Sequence, residues 1–190
     1  MPFEPGTQEV DDPRALRAMA HPIRLALLEA LALDGELTAS EAAERIGESP
    51  ASCSFHLRQI AKYGFVEEAE RGPGRRRPWR RRYANMHFGV VHDDRETAAA
   101  AETLADVLRR RYLDRFQRAV ARRHLEPREW LEVTGESEFL VYATPEELRA
   151  LDAEVTAVLQ RFSDRMTDPS ARPEGSRPIE VLLFAFAAER

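Results

Sequence analysis

Residues 38–83 read TASEAAERIGESPASCSFHLRQIAKYGFVEEAERGPGRRRPWRRRY, and their order decides the fold. Thr38 with Glu41 three positions on is a capping box, in which each residue satisfies an orphan donor of a helix start. Ala42, Ala43 and Ile46 supply an apolar face, and Gly47 ends that helix. After a short turn, Ser49 caps a second helix with Pro50 at its first position, where the missing N–H costs nothing. Leu57, Ile60 and Ala61 line its buried side as far as Gly64. Phe65-Val66 and Trp79–Tyr83 then read as two strands of a hairpin with its tip at 72–78.

The hairpin region carries Arg71, Arg75, Arg76, Arg77, Arg80, Arg81 and Arg82 without an acid among residues 71–83. A slim helix followed by fixed cations is what duplex DNA requires: the helix enters the major groove and the cations meet the flanking phosphates. With Cys53, Leu57, Ile60 and Ala61 turned inward, Ala51, Ser52, Ser54, Phe55, Arg58, Gln59 and Lys62 are left outside. Ser49 and His56 complete the candidate recognition set. Gln59 suits a bidentate pairing with adenine, and Arg58 suits guanine or phosphate. Lys62, Thr38 and Ser40 are expected at the backbone, with Arg75, Arg76, Arg77 and Arg80 of the hairpin.

On the N-terminal side, residues 1–12 hold Pro2, Pro5 and Gly6 among four acids and read as a flexible arm. Asp12 and Pro13 open a helix that breaks at His21-Pro22, and Pro22 starts the next. Ile23, Ala26, Leu27, Ala30 and Leu31 form its buried stripe, and Asp34-Gly35 ends it. On the C-terminal side, a helix runs from after Asp94 to about His124. Ala98, Ala101, Leu104, Ala105, Leu108, Tyr112, Phe116 and Val120 form its seam. At ~45 Å it is too long for so small a domain to cover, so Leu104, Leu108, Tyr112 and Phe116 are expected to pair with a second copy. Beyond it, Phe139–Thr144 alternates as a strand does, Thr144-Pro145 with Glu147 caps an amphipathic helix, and Ile179–Ala187 closes as an apolar strand.

The fold expected is therefore α+β and mainly helical. Residues 13–84 form a winged helix-turn-helix domain, 85–128 a dimerisation helix region, and 129–190 a small strand-helix-strand module. The net charge of -5 divides into -4 over residues 1–12, +4 over 13–84 and -5 over 85–190, so the positive charge is local. That asymmetry suits one anion-binding module joined to a part with other work. Lys62 is the only lysine, and Cys53 the only cysteine, which excludes an internal disulfide. The first residues lack both a basic start and an apolar core, and the longest apolar run, Val181–Ala188, is far below the ~20 residues a membrane span needs. A cytoplasmic protein is expected.

LRAMAHPIRLALLEAL, then SEAAERIGESPASCSFHLRQIAKYGFVEE, then the arginine-rich hairpin and a tyrosine resemble the winged helix-turn-helix regulators of the ArsR type. The residues that carry the resemblance are Ser52-Cys53-Ser54-Phe55-His56-Leu57 and Gly64-Phe65-Val66. It spans about residues 13–84 and the long helix. It implies a homodimer on a near-palindromic double-stranded operator, with the second helix of the motif in the major groove. Family precedent adds repression.

The resemblance does not bring the family's metal chemistry with it. The first helix of the motif has no cysteine pair, and His87, His92, Asp93 and His124 are not spaced to put two ligands one turn apart on one face. Neither a metal nor another cofactor is expected. No phosphate loop, nucleophile elbow or convergent His/Asp/Ser set appears, so no enzymatic role is expected. Cys53 reads as a small core residue, His56 as a partner within the domain or of a phosphate, and Trp79 as wing packing or a groove contact. The tail has two roles open to it: binding a small-molecule effector, or thickening the dimer interface. The rival reading is a winged-helix protein-interaction module that does not bind DNA.

Overall fold

The computed structural model describes residues 4–70, 77–89 and 91–188. Two compact units result, one of Met1–Leu108 with Ser163–Arg190 and the other of Arg109–Phe162.

In the first unit, α1 (Pro13–Met19) starts where the Asp12 carboxylate accepts from Arg14 N–H at 2.8 Å. Helix α2 (Pro22–Asp34) follows after two residues and is capped by the His21 ring. Helices α3 (Ala39–Ile46) and α4 (Pro50–Ala61) pack on α2, and α1 packs against α4. Leu16, Met19, Leu27, Leu57 and Ile60 are fully buried at the centre, consistent with apolar stripes repeating at three and four residues.

Strand β2 (Val66–Glu68) pairs antiparallel with β3 (Trp79–Arg81), Glu68 opposite Trp79 and Val66 opposite Arg81. On its other edge, Trp79 exchanges two backbone hydrogen bonds with Leu37, at 2.8 and 3.0 Å. Trp79, only 8% exposed, therefore packs into the base of the hairpin. The second hairpin strand ends at Arg81, before Tyr83. The expected tip falls mainly on residues 71–76, outside the described residues.

Tyr83 instead opens β4 (Tyr83–His87), which runs parallel to β1 (Glu4–Glu9). This corrects the reading of residues 1–12 as a flexible arm. Pro5 and Gly6 looked like strand breakers, yet a two-stranded sheet is all edge and tolerates them. The register is irregular between Glu4 and Thr7, where they sit. The strand is secured beyond its own ladder: Gln8 Nε2 donates to Tyr63 O at 2.9 Å, and Val10 is buried.

Helix α5 (Arg95–Arg122) begins where the Asp94 carboxylate accepts from Thr97 N–H at 2.8 Å, which holds that carboxyl below its usual range. Thr97, Ala100, Ala101, Leu104 and Leu108 are buried in the same chain, and Arg17 of α1 pairs with Glu96 at 2.7 Å. Leu104 and Leu108, expected as dimer contacts, are buried within the protomer. The first half of α5 thus buries its apolar seam within the protomer. Later positions differ: Phe116 is 36% exposed, and Leu113 and Val120 are exposed too.

The second unit holds the rest of α5, a 3₁₀ turn at Arg123–Leu125, α6 (Arg128–Leu131) and α7 (Pro145–Gln160). Thr144 and Glu147 make the expected capping box on α7, with Glu147 N–H on Thr144 Oγ1 at 3.2 Å and Thr144 N–H on Glu147 Oε2 at 2.7 Å. No residue from 109 to 162 is buried. After it, within the first unit, come α8 (Asp164–Thr167) and a 3₁₀ turn at Pro169–Ala171.

The strand-helix-strand expectation for the tail is corrected. Residues 139–144 and 179–187 form no strand pairing among the described residues, and Tyr142 is 99% exposed. Alternation marks a segment able to be a strand, but a ladder also needs a neighbour to supply N–H and C=O groups. Among the described residues, no helix is long and apolar enough to cross a membrane.

The fold ranks two substitutions. Leu57→Ala should cost about 2–5 kcal/mol through the cavity it opens, and Thr38→Ala about 1 kcal/mol through loss of the cap. Urea unfolding followed by far-UV circular dichroism should show that order.

Candidate nucleic-acid interface

The geometry of α3, the turn and α4 is set by local chemistry at the turn. Gly47 adopts φ +75°, which a side chain would resist, and both Gly47 N–H and Glu48 N–H donate to Ala43 O, at 2.9 and 3.0 Å. Two residues on, Ser49 Oγ accepts from Ser52 N–H at 3.1 Å and starts α4. Thr38 Oγ1 accepts from Glu41 N–H at 3.3 Å and lies 2.8 Å from its carboxylate. The hydroxyls of Thr38 and Ser49 are thus engaged in capping, whereas Ser40 is exposed.

On α4 the buried side consists of Cys53, Leu57 and Ile60. Opposite them Ala51, Phe55, Arg58 and Lys62 are exposed in one stripe at spacings of four, three and four residues. Phe55 stands at its centre, 50% exposed. Ser52, Ser54, His56 and Gln59 flank the stripe half-buried. Lys62 Nζ donates to Gln59 Oε1 at 3.3 Å. A bidentate contact to adenine needs both ends of the Gln59 amide, so that contact requires Lys62 to move to another acceptor.

His56 is held inside the domain. Its ring lies 4.5 Å from that of His21, and Arg24 Nε donates to its Nδ1 at 3.4 Å, while Arg24 Nη1 donates to Ala18 O at 2.7 Å. His21 Nδ1 accepts from Ile23 N–H at 3.3 Å. Burial and then the Arg24 charge push His21 below the ordinary histidine range; burial, His21 and Arg24 do the same to His56, with Glu48 opposing in both. The sequence reading missed His21 and Arg24. The usable signal was a helix whose N-cap is histidine and whose third residue is a cation able to reach back over the preceding turn.

Cys53 is fully buried, and burial followed by the Glu48 charge raises its thiol above the ordinary range, which makes it unreactive core.

The described hairpin arginines have different surroundings. Arg80, expected at phosphate, has Nη2 2.9 Å from Glu67 and Nη1 3.7 Å from Glu36, so two carboxylates share its charge. Arg81 lies opposite buried Val66, and burial lowers its affinity for a proton. Arg82 stacks over the Tyr83 ring at 5.4 Å. Arg77 is exposed. Arg71, Arg75 and Arg76 lie outside the described residues.

His92 Nε2 is 2.8 Å from Gly89 O and His124 Nδ1 is 3.1 Å from Ala121 O. Among the described residues, no three His, Cys, Asp or Glu side chains could together hold a metal ion.

Residues 19–69, which span α2, α3, α4 and β2, match the family model of a helix-turn-helix domain. No curated protein matches the chain. The match supports a helix-turn-helix regulator that binds DNA.

The histidine pair makes stability depend on pH. Both folded-state values lie below the unfolded one, so the unfolded chain binds more protons between them. The contribution is complete above pH ~6.5 and is lost as pH falls through the folded values. Thermal melts of the intact protein should lose stability below that pH. A His21→Asn, His56→Gln variant, which keeps the cap without titrating, should show a shallower dependence.

Proposed function

We propose that this chain is a homodimeric transcriptional regulator of the ArsR type, which places α4 in the major groove of a near-palindromic operator. In this reading it represses, works in the cytoplasm and uses no metal. The observation that carries the reading is the exposed α4 stripe, Ala51 through Lys62, held opposite a fully buried face by caps at both ends of the turn. Ala51, Ser52 and Phe55 are positioned for base edges, where Phe55 suits a thymine methyl, and Arg58 and Gln59 for guanine and adenine. Ser40, Lys62 and the hairpin arginines Arg75, Arg76 and Arg77 are assigned to phosphates.

One observation favours the rival reading: Phe55 is an exposed aromatic side chain of the kind that anchors protein interfaces. Salt separates the two. A DNA binder loses affinity linearly in log salt, with a slope near -0.9 per phosphate neutralised.

Binding of random duplex should follow that law. Arg77→Ala should flatten the slope by about one ion for every sequence, and Gln59→Ala should relax discrimination at one base pair by ~1–3 kcal/mol. Arg80→Ala should weaken the hairpin and leave the slope unchanged. Selection of bound fragments from the source genome supplies the specific duplex, and absence of salt-dependent binding at low salt overturns the regulator reading.

A further inference from the structure

The second unit has helices but no core. Helix α7 carries Leu148, Leu151, Val158 and Leu159 on one exposed stripe. An isolated helix of this length is marginal in water, so its apolar face needs a cover. The second half of α5 offers a matching surface, the exposed stripe Leu113, Phe116 and Val120.

Charge pairs these two faces. From Arg109 to Arg122, α5 has six arginines and one acid, Asp114, while α7 has Glu146, Glu147, Asp152 and Glu154 against Arg149. By helical spacing Glu147 and Glu154 border one side of the α7 stripe and Asp152 the other. Opposite charge around two apolar seams favours their pairing and disfavours α5 on α5 or α7 on α7 along this half.

The connection indicates whose α7 is involved. Residues 134–144 run without helix or strand, a reach of up to ~36 Å at ~3.3 Å per residue. A helix folding back on its neighbour needs roughly 2–8 residues. In this structure the apolar side chains of α7 after the long connector stay exposed, and long hinges of this kind allow identical elements to be exchanged between protomers.

We propose that α7 of each protomer docks on the second half of α5 of a second copy of this chain, so that the dimer is held by exchanged C-terminal helices. The interface is reciprocal: each stripe occurs twice, and each is covered by the other chain. This rests on the homodimer of the proposed function and is independent of whether DNA is bound.

Disulfide trapping on the full chain tests it. Two differently tagged chains are co-expressed, one with a cysteine replacing Leu113, Phe116 or Val120 and the other with a cysteine replacing Leu148, Leu151 or Val158. Buried Cys53 is left in place. Mild oxidation should join the two chains for at least one pair, and Leu151→Asp with Val158→Asp should raise the dimer dissociation constant about 100-fold. A bond formed only within one chain carrying both cysteines overturns the exchange. Phe116→Cys homodimers that cross-link while no α5 to α7 pair does also overturn it, and leave the dimer standing. No cross-link in any combination overturns both.

Discussion

Everything in the helix-turn-helix part of this molecule depends on one face of α4 being locked into the core. Cys53, Leu57 and Ile60 are fully buried, and because side chains three and four residues apart share a helix face, burying these three fixes which residues point away. The stripe from Ala51 to Lys62 is therefore presented by default. Its orientation is then trimmed by backbone chemistry at Gly47 and Ser49, which sets where α4 begins relative to α3.

What was legible in the sequence was legible for local reasons. Asp12, Thr38, Ser49 and Thr144 announce helix starts through interactions within three residues, and each acts as a cap. Gly47 and Gly64 mark stops through their backbone freedom, and both have φ +75°. Buried stripes follow from periodicity. The misses all involve partners distant in sequence. The strand at Glu4–Glu9 forms because residues 83–87 lie beside it, and nothing within the first twelve residues signals that. Leu104 and Leu108 look identical to Phe116 along the seam; only burial in the folded protomer separates the first two from the exposed third.

Charge shows the same division between composition and geometry. Seven arginines without an intervening acid suggested a uniform cationic surface, yet Arg80 is spanned by Glu67 and Glu36, residues separated from it by 13 and 44 positions. A run of like charge in sequence thus alternates in space, since successive residues of β3 point to opposite faces. Arg80 at the hairpin base is thus partly neutralised, whereas Arg77 is exposed.

The pairing of Trp79 with Leu37 has a mechanical meaning. β3 is stitched on one edge to β2, which follows α4, and on the other to the residue just before the Thr38 cap. The base of the hairpin, the start of α3 and the end of α4 are therefore tied into one stiff element. With α4 in the major groove as proposed, the span from α4 to the hairpin base would act as a fixed calliper. A duplex whose groove is too wide or too narrow has to deform to fit it, and sequences that deform cheaply gain affinity at base pairs that no side chain touches.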